Sequence, residues 1–83
     1  MDSGVRLQDV QQRARQGHRD WVFFTDRSGV SHAERYSRDA IKRAMLATGT
    51  RGRWLAIDSA GNGHLINWSL ACLRLRNAKY FSA

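Results

Sequence analysis

Apolar positions in this chain fall in short clusters separated by turn residues, and two of the clusters fold back on themselves. Trp54-Leu55-Ala56-Ile57 is a continuous apolar run, Asp58 to Gly63 (DSAGNG) supplies turn residues, and His64-Leu65-Ile66-Asn67-Trp68 runs back. The pattern predicts a hairpin, with Gly61 and Gly63 able to take positive φ and Asp58 and Asn62 able to bond the turn backbone. Upstream, Trp21-Val22-Phe23-Phe24-Thr25 is β-branched and aromatic, and too short for a helix with its own core face. Asp26-Arg27-Ser28-Gly29 forms a second turn, and Val30 to Tyr36 returns as a more polar strand suited to a sheet edge.

Two segments carry helical spacing. Leu7, Val10 and Ala14 share one face among polar neighbours, predicting a helix over about 4–16 with Asp2 or Ser3 as N-cap and Gly17 ending it. Its apolar stripe is thin, which places it at the margin of the core. Ser37 caps a second helix over about 38–48, where Asp39 complements the helix dipole, Ala40, Ile41, Ala44, Met45 and Ala47 supply the apolar side, and Gly49 ends the run. Thr50 to Arg53 then lead to the Trp54 hairpin. After Trp68 the pattern divides: Ser69 could cap a short helix through Leu73, whereas Leu73-Arg74-Leu75-Arg76 alternates as a strand does. A turn followed by a last strand is the preferred expectation, before a tail containing Lys79, Tyr80 and Phe81.

Asp26, Gly29, His32 and Ser37 recur 32 positions later as Asp58, Gly61, His64 and Ser69, and Tyr36 recurs as Trp68. Helix, strand, strand would then occur twice, a possible duplicated αββ unit. The expected fold is α+β, one domain over 1–83, with two hairpins side by side in an antiparallel sheet and the helices on one face. Its expected core is Trp21, Phe23, Ile41, Met45, Leu55, Ile57, Ile66 and Leu73.

Length sharpens this picture. A chain of 83 residues buries only about 60–65% of the surface its unfolded form exposes, so three Trp, three Phe and two Tyr must supply much of the burial. Cys72 is the sole cysteine, so no intramolecular disulfide forms, and its Leu-rich surroundings suggest a buried thiol and a reducing cytoplasm. Neither a secretory leader nor an apolar stretch long enough to span a membrane is evident.

Charge changes the picture most. Fourteen Lys+Arg against seven Asp+Glu give a net charge of +7, and twelve of the fourteen are Arg. Arginine offers a planar fork matched to phosphate and carboxylate, so the expected partner is nucleic acid or an acidic face of a nucleoprotein complex. Arg35, Arg38, Lys42 and Arg43 cluster around the second helix, Arg51 and Arg53 flank the next linker, and Arg74 and Arg76 gather near the end with Lys79. These are the candidate partner-binding residues; oligomeric state is left open. His32 with Asp26 and His64 with Asp58 could each offer two metal ligands, fewer than the three or four a site needs, and turn bonding is the simpler role. No nucleophile elbow and no phosphate loop opening a helix is present, so catalysis, cofactor and metal are not expected.

The helix-strand-strand doubling is loosely similar to the core of LAGLIDADG homing endonucleases, but that motif and its paired acidic residues are absent. In general character the chain resembles the small accessory proteins of phages and mobile elements, anti-CRISPR proteins among them. The resemblance rests on small size, an Arg-rich charge and a self-contained α+β pattern, and it carries no motif. It implies a non-catalytic inhibitor that docks on a nucleic-acid-processing complex; direct, sequence-nonspecific DNA or RNA binding is the alternative.

Overall fold

A computed structural model describes residues 4–77. The elements follow in the order α1 (Leu7–Gly17), β1 (Trp21–Thr25), β2 (Ser31–Arg35), α2 (Arg38–Thr48), β3 (Trp54–Ile57), β4 (Gly63–Ile66) and α3 (Trp68–Arg76). The strands form one antiparallel sheet in the order β2-β1-β3-β4, so the fold is α+β with the two hairpins joined through β1 and β3. Asp2, Ser3 and the tail with Lys79, Tyr80 and Phe81 lie outside the described residues.

The two hairpin turns are near copies of one another. Asp26 Oδ1 accepts the backbone N–H groups of Ser28 and Val30, and Asp58 Oδ1 accepts those of Ala60 and Asn62. In each turn the glycine N–H donates to the aspartate carbonyl, and Gly29 and Gly61 take φ of 90° and 86°, the left-handed region that a Cβ disfavours. The repeat continues into the pairing of β1 with β3. A shift of 32 positions carries Phe23 onto Leu55, and these two lie directly opposite one another, flanked by Val22 opposite Ala56 and Trp21 opposite Ile57. The hairpins are therefore related by a local two-fold axis through that pair.

The central strands are apolar on both sides, and this decides where the helices go. Val22, Phe24, Trp54, Ala56 and Ile66 face one way and pack with Ala40, Ile41, Ala44 and Met45 of α2 and Ala71 of α3. Ile57, with Trp21, Phe23 and Leu55, faces the other way and packs with Val10 and Ala14 of α1. The expectation of helices on one face is thus corrected: α1 covers the opposite face, because that face is as apolar as the first. The repeating unit is also better framed as ββα, since α2 and α3 follow their hairpins on the same face while α1 and α2 lie on different ones.

Several local expectations change with it. Residues 69–76 are helix rather than strand, because Asn67 Oδ1 accepts the Leu70 N–H at 2.9 Å and starts α3 there; Trp68 belongs to that helix and not to β4. Leu73 consequently points away from the core and is 39% exposed, and Cys72 is exposed rather than buried. Trp21, Phe23 and Leu55 are half-buried, since the narrow stripe of α1 covers them only in part. Ile41, Met45, Ile57 and Ile66 are buried as expected. Gly17 is the last helical residue of α1, and His18 takes the left-handed position with φ 49°, a conformation histidine tolerates better than most residues.

The two turns differ in their contact with α1, which makes a matched test. Gln11 Nε2 of α1 donates to Gly61 O at 3.0 Å, and a Cβ on Gly61 would fall 2.8 Å from Arg15 Cγ, whereas one on Gly29 meets nothing within 4 Å. Gly29→Ala should therefore lose about 1 kcal/mol from φ strain alone, and Gly61→Ala about 2 kcal/mol or more because α1 must also shift. Urea unfolding of the two variants measures the difference; equal losses would mean that α1 is not held against the second turn.

Candidate cationic interface

The surface that gathers positive charge is set by the start of α2 and the end of α3. Ser37 Oγ accepts the Ala40 N–H at 3.0 Å and opens α2, which places Arg38 at its first position and Lys42 one turn later on the same exposed side. In α3 the last turn carries Arg74 and Arg76, where a cation complements the helix dipole. Two bonds tie the start of α2 to the end of α3: an Nη1 donor of Arg38 meets the Leu75 carbonyl oxygen, and Arg74 Nη1 donates to the Tyr36 hydroxyl at 3.3 Å. Arg35 precedes Tyr36, and Arg76 follows Leu75. The fold thus brings Arg38 and Arg74 together where α2 begins and α3 ends, with Lys42 one turn along α2 and Arg76 two residues beyond Arg74, whereas Arg35, in register with Trp21, is on the α1 side of the sheet.

The other candidates separate from this cluster. Arg43 turns to β2, where its Nε lies 2.7 and 2.9 Å from the two carboxylate oxygens of Glu34. That pairing raises the guanidinium pKa and balances its charge within the chain, although solvent screens an exposed pair of this kind and leaves it little weight in stability. Arg51 and Arg53 precede Trp54 at the start of β3. Because β3 runs antiparallel to β1, they lie at the end of the sheet opposite Arg35, which pairs with Trp21 at the start of β1. Arg27, which the sequence reading did not single out, belongs with that second group: its Nη2 lies 3.0 Å from where a Cβ on Gly49 would sit, so the first turn folds toward the end of α2. Its charge within a turn was visible, but its neighbours depend on the β1–β3 pairing.

The Asp–His pairs serve the turns. His32 Nε2 donates to Asp26 Oδ2 at 2.7 Å and stacks on Phe24 with ring centroids 5.1 Å apart; His64 Nε2 donates to Asp58 Oδ2 at 2.8 Å. Among the described residues no three His, Cys, Asp or Glu side chains converge in a metal-binding group. The described helices also include none long and apolar enough to cross a membrane. A hollow beside the start of α1, lined by Gly4, Val5, Arg6, Asp9, Val10 and Arg13, is on the other side of the sheet from the α2–α3 cluster.

The turn carboxylates carry a pH dependence with a definite sign. The bond from His32, then those from Ser28 and Val30, hold the Asp26 carboxyl well below its ordinary range, and the bond from His64 lowers Asp58 against the opposing effect of burial. Both contribute stability that is present above the ordinary aspartate pKa near 3.8 and is lost as pH falls through the lowered folded values. Asp20 acts in the opposite sense, since burial raises its pKa and so favours folding of the protonated form. The stability of the wild type should therefore fall steeply below about pH 4, and the Asp26→Asn, Asp58→Asn double variant should show a shallower acid limb. Urea midpoints measured from neutral pH downwards check this; unchanged steepness in the double variant would move the acid sensitivity elsewhere.

No protein-family model matches the chain, and neither a curated protein nor a solved structure matches it.

Proposed function

We propose that the chain is a non-catalytic binding module whose arginine-rich surface docks on an acidic face of a nucleic-acid-processing complex, in the manner of small phage-type inhibitors. The observation that carries this reading is the meeting of Arg38 and Arg74 where α2 begins and α3 ends, with Lys42 and Arg76 exposed on the same two helices. The net charge of +7 adds long-range attraction to any polyanion. The neighbouring surface favours a protein face over bare phosphate: Leu70 and Leu73 of α3 are 41% and 39% exposed beside Arg74 and Arg76. Apolar side chains gain from burial against a protein and gain little from a phosphate backbone.

The test uses cations that make no contact described above with the rest of the fold. Lys42→Glu and Arg76→Glu together lower the net charge from +7 to +3, each reversal removing two units, and leave Arg38 and Arg74 in place. Arg13→Glu and Arg19→Glu impose the same change from exposed positions on and after α1. Retention of a defined host protein from nuclease-treated extract should be lost by at least about tenfold in the first variant and largely kept in the second, with urea midpoints close to wild type in both. Equal loss in the two variants would leave net charge, and not this cluster, as the determinant. Micromolar binding of wild type to random DNA or RNA with a steep salt slope, and no retained protein, would establish direct nucleic-acid binding instead.

A further inference from the structure

The two outer edges of the sheet are treated differently. The edge of β2 is partly closed by the chain itself: Gly4 forms a parallel bridge with Ser31, and the Val5 N–H donates to Ser31 O at 3.2 Å. Among the described residues no strand pairs with the outer edge of β4. Edge strands are ordinarily guarded by charged side chains, proline or a bulge, yet β4 reads Gly63-His64-Leu65-Ile66 and pairs in continuous register with β3. Its one ionisable ring is clasped to Asp58 at 2.8 Å. Leu65 is 55% exposed and sits opposite Leu55, on the face that α1 covers only in part.

We infer that the β4 edge is the seat of a symmetric dimer, in which β4 of a second copy pairs antiparallel and extends the sheet to eight strands. Antiparallel pairing about a two-fold axis is self-complementary, so one strand sequence meets itself in register. The chain already contains this contact once, where β1 and β3 join the two hairpins with Phe23 opposite Leu55 on the same face. Centring the new pair on Leu65 would set this exposed side chain against its own copy, and apolar cross-strand pairs are the unit of sheet stabilisation. A two-fold axis perpendicular to the sheet keeps the faces, so both α2–α3 layers would lie on one side. Each copy carries +7, and like charge opposes association. Added salt therefore strengthens this dimer, the reverse of its effect on polyanion binding.

Sedimentation equilibrium from about 10 μM to about 1 mM, at low and at high salt, should show the mass rising from 9.5 kDa toward twice that value, at lower concentration when salt is high. Leu65→Lys should weaken the dimer by at least about tenfold with an unchanged circular dichroism spectrum. Paired antiparallel residues lie about 4.5–5.5 Å apart at Cα, within disulfide range, so Leu65→Cys in a Cys72→Ser background should cross-link rapidly on oxidation. Leu46→Cys, at a position 73% exposed on α2, serves as the collisional control. A monomer at every concentration, a dimer that Leu65→Lys leaves intact, or equal cross-linking at the two positions would each overturn the inference. None of these results bears on retention of an acidic partner, so the two proposals fail separately.

Discussion

The antiparallel contact between β1 and β3 is the constraint on which the other elements depend. Each hairpin alone is a two-stranded ribbon, which is marginal in water, and joining them gives a sheet with two interior strands. Interior strands in this chain are apolar on both sides, with Trp21 and Phe23 opposed to Val22 and Phe24 on β1, and Leu55 and Ile57 opposed to Trp54 and Ala56 on β3. A sheet of that kind must be covered on both faces, and the chain places one helix on one side and two on the other. The pairing thus dictates the layer arrangement before any helix sequence is considered.

On the two-helix side, close approach is obtained with small residues. Ala40 and Ala44 of α2, Ala56 of β3 and Ala71 of α3 are all fully buried, and around them lie Val22, Phe24, Ile41, Met45, Trp54 and Ile66. The alanines add little transfer energy themselves; they let the helices sit near enough for the larger side chains to lose contact with water. Interiors packed in this way tolerate added methylenes poorly, with typical costs of about 1–3 kcal/mol. The opposite face is less complete, because α1 contributes only Val10 and Ala14 as buried residues and leaves Trp21, Phe23 and Leu55 partly in solvent.

Local signals were legible in the sequence and relations between distant segments were not. Ser37 and Gly49 bracket α2 as read, because capping is a matter of a few adjacent residues. The recurrence of Asp, Gly and His marked both turns, and the bonds from the aspartate to the turn backbone and to the histidine are shared by the two. The last segment was misread because Leu73-Arg74-Leu75-Arg76 alternates, while the signal that decides it, Asn67 as an N-cap, lies six residues upstream. That error propagated: a strand there would bury Leu73, and the helix exposes it. The side taken by α1 was illegible for another reason, since it follows from which hairpin strands become interior. The basic residues were visible in the sequence, but the meeting of Arg38 with the half-buried Arg74, and the separation of Arg27, Arg51 and Arg53 from them, need both α3 and the β1–β3 pairing.

Arg38 is held by a bond that fixes its guanidinium group without cancelling its charge. Arg43 shows the other outcome, since its partner is the Glu34 carboxylate and the pair is close to neutral seen from a distance. The bond from Arg38 ends on the carbonyl of Leu75, a neutral acceptor, and that from Arg74 to Tyr36 ends on a neutral hydroxyl. A guanidinium has five donors and keeps its charge when one of them meets a neutral acceptor. The same bonds help dock α3, which buries only Ala71 along its length and gains from having a terminal carbonyl satisfied by Arg38. Holding the last helix and presenting positive charge are therefore one arrangement, and Arg38 cannot be removed to test the second without disturbing the first.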